Sequence, residues 1–590
     1  MSLYQQHYYV PKESGTLTDT LTAFGLAKVL EQVVGQMNGS AQVVLNDAGS
    51  CFVIDAGAPI QATWLERLQP IEQIRYLTSS KVSAPVDLPG MATRDVDQEW
   101  ERFRQYNEQR KQLVEQKISG DAMEQALADL KPRADWTVVT YLGDYRMQAQ
   151  GIHNSLVEQW QRTSEKYLAL NVRTLLAMFA GLAVNREAIA AEWKKATKAD
   201  KLSEVVTASQ LFNPHMGKGQ NRVKADGLAM GNEDNFWLLD YLKAVGLWEA
   251  AAPRNSTNAD LRKTYILAPR RLALKDHRAV FRRFREKLWN SSSIKMDIQA
   301  ALFYTDALLN YTIEEDNLDI FNDGPPQALV AGMNVATYQL LSQNSYTMMN
   351  LAFLGLPDWM PQLRSFADAR LLQTIVQEHL ERIGSIDEER SEGHTLLQHY
   401  RDFVSGRDLP RFYAFNAGYG SYLISALERS HFYIKPFSEQ NLGRLFEMAE
   451  PKLTPILQNQ GFRNVADAIR RSTVIPQYLG RKSSNFDVRY GLGQEMKRKA
   501  QYADDFIQEL AAFMQSYNEE NARVYERTKG QSRRKAITTD DIEQVVGLID
   551  TYGAETICNL LIAFGYARDP KEPTAPTTPD TTDGQPNEEA

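Results

Sequence analysis

Three groups of side chains in this sequence have the types and spacing to meet a nucleic acid. The first is Gly217-Lys218-Gly219-Gln220-Asn221-Arg222-Val223-Lys224, inside a stretch, 213–235, punctuated by four glycines and a proline. Glycines let backbone N–H groups approach a phosphate closely. Lys218, Arg222 and Lys224 supply charge, and Gln220 and Asn221 can pair with base edges or with backbone oxygens. An exposed flexible loop is the competing reading. The second group is Arg270-Arg271 with Lys275 and the basic run DHRAVFRRFREKLWNSS behind them. Arg278, Arg282 and Arg285 follow spacings of four and three and share a helical face, and Arg283 and Lys287 form another pair four apart. Between Arg262 and Lys287 ten Lys/Arg stand against Asp276 and Glu286, a local net charge of +8. So few acids make a solvated helix costly without an anionic partner. Phe281, Phe284 and Trp289 interleave, as the buried side or as stacking platforms, and helical spacing favours burial. The third group is Arg481-Lys482-Ser483-Ser484-Asn485, then Arg489 and Lys497-Arg498-Lys499, a cationic approach to a helix that suits phosphate. A basic turn follows at Lys529–Lys535, with Arg533 and Arg534 among four cations and no acid.

Catalytic signatures are missing from the sequence. GKGQ at 217–220 lacks the Ser or Thr after the Lys that a P-loop uses to hold magnesium. No HExxH, GxSxG or GxGxxG pattern occurs, and neither does a His-Asp dipeptide. The eight histidines are scattered and are expected to be structural. The two cysteines, Cys51 and Cys558, form no CxxC pair, which argues against a cysteine-rich zinc site or a disulfide framework. No cofactor, metal or catalytic residue is expected. A net charge of −8 argues against a simple nucleic-acid coat, yet local patches create the field a phosphate backbone meets.

A chain of 590 residues needs more than one core. No apolar run approaches about 18 residues, so no membrane span is expected. The N-terminal residues do not resemble a signal peptide, and a reducing cytoplasm fits the cysteine usage. The pattern predicts an α+β N-terminal part within a mainly α chain. A helix is expected over 16–36, then a hairpin of AQVVLN and SCFVIDAG, a short helix at ATWLERL, and a loop over 80–95. Solvated charged helix is expected over 96–131, a strand at TVVTYLG (137–143), and helices over 153–183 and 186–198. NFWLLDYLKAVGLWEAAAP predicts a helix ending at its proline, KTYILAP a strand, and almost everything after about 294 helix. The last long stretch, Gly493 to Tyr566, carries two amphipathic helices. Met496, Ala500, Ala503, Ile507, Leu510, Met514, Tyr517, Asn521 and Val524 line the first. Ile542, Val545, Ile549, Ile557, Leu560, Leu561 and Phe564 line the second, which opens on a Thr538/Asp541 N-cap pattern. With segments at about 437–459 and 461–475 they make a C-terminal four-helix bundle. The expected organisation is a nucleic-acid-binding region over 1–435, the bundle over 436–568, and a tail over 569–590 whose Pro, Thr and acids cannot build a core.

The runs RYGLGQEMKRKAQYADDFIQELAAFMQSYNEENARVYE and ITTDDIEQVVGLIDTYGAETICNLLIAFGYAR resemble the C-terminal part of the large subunit of type I CRISPR interference complexes (Cascade), nearest the I-A and I-B branches. NPHMGKGQNRVKADG followed by NFWLLDYLKAVGLW is similar to the middle of that family. The resemblance implies a non-catalytic role. The subunit would read the protospacer-adjacent motif in target double-stranded DNA, aid R-loop formation and guide the displaced strand, while the crRNA reads the remaining sequence. Implied partners are the crRNA, the backbone, handle-binding and small subunits, and a separate helicase-nuclease or transposition machinery. The bundle would be similar to the small subunit. The zinc-binding cysteines of some relatives are absent. A nuclease of unrecognised type and a protein-only helical scaffold are the alternatives.

Overall fold

The computed structural model describes residues 3–568 apart from 40, 72–73, 217–232, 258–259, 323, 344, 407, 432 and 480–484. The expected tail over 569–590 lies outside the described residues. The chain is mainly α, and every strand among the described residues lies before residue 356. It divides into two compact units at Asp408/Leu409. The second unit therefore starts before the boundary expected at 435/436. The helix Leu409–Glu428 belongs with the C-terminal helices because Gly420 leaves room for the Tyr566 ring and Phe412 packs against Phe446 at a tilt, ring centres 5.4 Å apart. No described helix is long and apolar enough to cross a membrane.

The first unit is built on two crossed helices, Leu17–Met37 and Trp237–Ala250, both almost wholly buried. They cross through glycine. A methyl group at Gly25 would overlap the carbonyl oxygen of Leu242, and one at Gly246 would overlap that of Leu21. Backbones this close admit no Cβ on either side. Gly25→Ala or Gly246→Ala is expected to destabilise the unit by about 1–3 kcal/mol or more. Urea unfolding would measure it, and the double variant should cost less than the sum because one displacement relieves both clashes. Two single variants of wild-type stability would show that the helices do not cross here.

Two antiparallel four-stranded sheets flank this pair in the chain order. One runs His7–Pro11, Cys51–Asp55, Val44–Asp47, Arg271–Ala273. The other runs Ser345–Gly355, Val330–Ser342, Leu261–Pro269, Ala251–Asn255. The predicted helix at 16–36 and the hairpin after it are both present. The helix from Trp237 ends at Ala250, and Pro253 sits in a strand at the sheet's edge, where a missing N–H costs no ladder bond. Thr93–Asp95, within the expected loop, pairs in parallel with Tyr76–Thr78.

Two expectations fail. TVVTYLG is not a strand: Trp136–Leu142 is a helix with all seven residues buried. Its β-branched residues suit either conformation once burial surrounds them, and the Arg254 guanidinium donates to Thr137 Oγ1 at 2.7 Å. The stretch after 294 is not almost all helix either, because Val330–Ser342 and Ser345–Gly355 form a long hairpin. Alternation is weak there because both faces are covered along the inner strand. On the outer strand Met349, Leu351 and Phe353 stay exposed, so polarity does not mark the outward side.

In the second unit each of the four expected segments is helical, but each is divided. They appear as Glu439–Ala449 with Thr454–Gln458, Gln460–Ser472 with Val474–Leu479, Leu492–Lys499 with Ala503–Arg527, and Thr539–Tyr552 with Ala554–Gly565. Gly553, with φ +84°, divides the last pair. Tyr502 is extended and resets the helical phase of the third. The buried row is therefore Phe506, Leu510, Phe513, Tyr517, Asn521 and Val524, and Ala503 is exposed. Thr538 and Asp541 form the full capping box: Asp541 N–H donates to Thr538 Oγ1 at 3.2 Å, and Thr538 N–H to Asp541 Oδ2 at 2.8 Å.

Candidate nucleic-acid interface

The strand Arg271–Ala273 runs directly into the helix Leu274–Lys287. That helix buries Leu274, His277, Phe281 and Phe284, so the two phenylalanines take the buried role. Trp289 lies past the helix end and is half-buried.

The cations of Arg262–Lys287 are not an unopposed field. Acids from distant parts of the sequence pair with five of the ten. Arg278 is paired with Glu31, and its Nε lies 3.7 Å from Glu249. Arg283 is 2.6 Å from Glu314 and 3.5 Å from Glu315. The hydrogen bond from Arg283 holds the Glu314 carboxyl below its ordinary value. Lys263 pairs with Asp297 at 2.7 Å, Arg262 with Asp144, and Lys287 with Asp306. Arg285 is turned inward. It donates to the carbonyls of Ala251 at 2.9 Å and Trp248 at 2.7 Å. The shared face expected for Arg278, Arg282 and Arg285 therefore does not exist as a solvent surface. Arg285 falls on the flank of the apolar stripe and is claimed by the core, because a guanidinium can reach the carbonyls where the neighbouring helix ends. Arg270, Arg271, Lys275 and Arg282 remain exposed at the strand–helix corner. Arg271 and Lys275 line a cleft of about 580 Å³ that also holds Asp276, Glu315, Asp316 and Asp319.

The segment with Lys218, Gln220, Asn221, Arg222 and Lys224 lies outside the described residues. The residues on either side of it are held tightly. Asp240, wholly buried, accepts from Lys243 Nζ at 2.7 Å, Asn235 Nδ2 at 3.0 Å and Asn213 Nδ2 at 3.2 Å. Val205–Thr207 pairs with Asp234–Phe236 beside this cluster. Sequence reasoning missed Asp240 and Lys243. Their spacing of three inside an apolar helix was the available signal, since a buried charge needs a partner on its own face.

In the second unit Arg481 and Lys482 lie outside the described residues. Arg489 and Arg534 are structural. Both hold Glu520, at 3.3 Å and 2.9 Å, and Arg534 lies over Phe486, 3.8 Å from the ring centre. Arg534 is buried, which removes it from a solvent-facing basic turn. The turn reads as exposed in sequence because nothing local shows that Glu520 lies opposite. Arg489 also donates to Ser516 Oγ at 2.6 Å. Lys497, Arg498 and Arg533 are exposed and Lys499 is partly so, with Arg498 paired to Glu495.

Histidines His153, His277 and His379 are fully buried. Among the described residues no group of three His, Cys, Asp or Glu is placed to hold a metal ion. No model of a known protein family matches the chain, and no curated protein sequence matches it.

Proposed function

We propose that this chain is the non-catalytic large subunit of a crRNA-guided DNA-surveillance complex, binding the motif-bearing duplex and the displaced strand and recruiting a separate nuclease-helicase or transposition machinery. The reading rests on the resemblance of the 489–526 and 537–568 runs and of the 213–248 region to that family. The structural observation that supports it is the corner at Arg270, Arg271, Lys275 and Arg282. All four side chains are solvent-exposed on one strand–helix junction. Phosphate contacts from fixed elements give sequence-independent affinity and set register on a duplex.

The chain, tagged and expressed with its genomic neighbours, is expected to purify with a processed guide RNA and backbone subunits. In that complex Arg270→Ala with Lys275→Ala and Arg282→Ala should flatten the dependence of log K on log salt by about 2–3 for duplex binding, since each lost phosphate contact removes about 0.9. A chain that brings down no RNA, or a variant with an unchanged salt slope, would count against the assignment. Metal-dependent cleavage of DNA by the purified chain would favour a nuclease instead.

A further inference from the structure

The charged helix Val96–Glu115 has one side that is not solvated. Phe103 and Tyr106, three apart, turn the same way and meet Trp289. The Tyr106 and Trp289 rings are 5.5 Å apart between centres with planes within 5°. Phe103 lies 6.3 Å from Trp289 and 4.3 Å from Trp136, again near-parallel. These rings run along a cleft with two chambers, of about 210 Å³ and about 860 Å³. Arg110, Lys131, Glu286 and Trp289 line both.

The smaller chamber is cationic. Arg110, Lys131, Arg133, Arg254 and Arg285 face one carboxylate, Glu286, which Lys131 already holds at 2.7 Å. Arg254 and Arg285 are buried and bonded to carbonyl and hydroxyl oxygens, with Asp135 and Glu249 acting on Arg285 as charges without a described ion-pair contact. Arg254 donates to the carbonyls of Pro253, Leu288 and Arg285 at 2.6 Å each. Burial lowers Arg254 to about 9, helped by the charge of Arg285, and lowers Arg285 to about 10. Two buried guanidiniums with no carboxylate in described ion-pair contact carry a cost that an anion in the chamber would reduce. The larger chamber has a different character. Tyr106 and Trp289 join Phe303, Met123, Leu127 and Leu380 there, with the amides of Asn310 and Gln377 and, at its charged edge, Glu124, Arg283, Lys287 and Asp306. Flat rings, aliphatic walls and two amides suit a planar heterocycle with hydrogen-bonding edges.

We propose that this cleft binds a nucleotide, with the base in the larger chamber against Tyr106 and Trp289 and the phosphate in the smaller one at Arg110 and Arg133. The nucleotide is either one unit of a single strand or a free mononucleotide. The site is separate from the Arg270–Arg282 corner, and it stands even if the guided-complex reading fails.

The test uses the full chain. A labelled 12-residue oligo-dT, AMP and UMP, and inorganic phosphate would each be titrated, following polarisation of the oligonucleotide and thermal stability, because a ligand of the native state raises the melting temperature. Expected results are a shift with oligonucleotide or mononucleotide that phosphate alone does not match, and about tenfold weaker binding for Arg110→Ala and for Tyr106→Ala. Tyr106→Phe, which keeps the ring, should bind as wild type. Oligonucleotide without mononucleotide binding would mean a strand supplies the occupant, and binding of both would mean a free nucleotide suffices. Equal stabilisation by phosphate alone, binding unchanged in Tyr106→Ala, or no binding at all would overturn the proposal. Loss of this site with the duplex salt slope intact would leave the proposed function standing.

Discussion

Between pH 6.5 and 5 the N-terminal unit is expected to lose about 5 kcal/mol of stability, from three histidines whose slopes each rise toward about 1.4 kcal/mol per pH unit. His153, His277 and His379 are wholly buried, and burial lowers them from 6.5 to about 4, about 3 and about 3. Each ring is held as a neutral group. His153 Nε2 is 3.0 Å from the Arg75 carbonyl, His277 Nε2 is 3.1 Å from that of Glu249, and His379 Nδ1 is 2.6 Å from Tyr400 Oη. Arg285 and Arg278 beside His277, and Arg382 beside His379, oppose a further positive charge. The sign follows from proton counting. Below pH 6.5 the unfolded chain takes up protons that the native unit refuses, so falling pH favours unfolding. The loss is small above pH 7, sets in as pH falls through 6.5, and levels off only below the native values. Urea midpoints at pH 7, 6 and 5 would measure it. His153→Asn should remove about a third of the slope. A flat profile, or native histidines titrating near 6.5 by NMR, would show that these rings reach solvent.

Asp240→Ala is expected to destabilise the same unit by about 3–5 kcal/mol, because it strands a buried ammonium. Lys243 is 7% exposed and would keep Asn213 Oδ1 as an acceptor but lose its only described carboxylate. Asn213 and Asn235 would each lose an acceptor at the same time. Those residues bracket 217–232, so the loss falls on both ends of the segment with Lys218 and Asn221. Lys243→Met in the Asp240→Ala background should recover much of the loss, since removing both charges costs less than removing one. Denaturant midpoints of the single and double variants decide this. A double variant no better than Asp240→Ala would mean that the amide bonds, not the ion pair, carry the cluster.

The amphipathic C-terminal helices were legible because their spacing reports burial directly. Val545, Ile549, Ile557, Leu560, Leu561 and Phe564 are buried as the spacing requires, and the Thr538/Asp541 box forms as its pattern requires. On the preceding stretch Met496 and Ala500 are buried as expected, and the row slips at Ala503 and Ile507, where an extended Tyr502 resets the phase, before Leu510, Tyr517, Asn521 and Val524 are buried again. The candidate site was less legible than the fold. A count of cations along Arg262–Lys287 sees neighbours in sequence, whereas a charge responds to neighbours in space. Arg285 and Arg534 count as basic in sequence and are consumed by carbonyls or by Glu520 in the fold. Tyr106 and Arg110 lie one turn apart on one helix, but Trp289, on a distant segment, joins them in a cleft that no spacing rule predicts.

By itself the sequence determined the class of the chain, the helices with period near 3.6, the cap, the first hairpin, and which segments are rich in cations. These follow from interactions within a few residues. Tertiary structure alone decided that 136–142 is helix, that 330–355 is a hairpin, and that Leu409–Glu428 belongs to the second unit. It also decided which cations are spent and which face solvent. Those outcomes depend on burial and on charges brought together from residues as far apart as Glu31 and Arg278, and no local pattern carries that information.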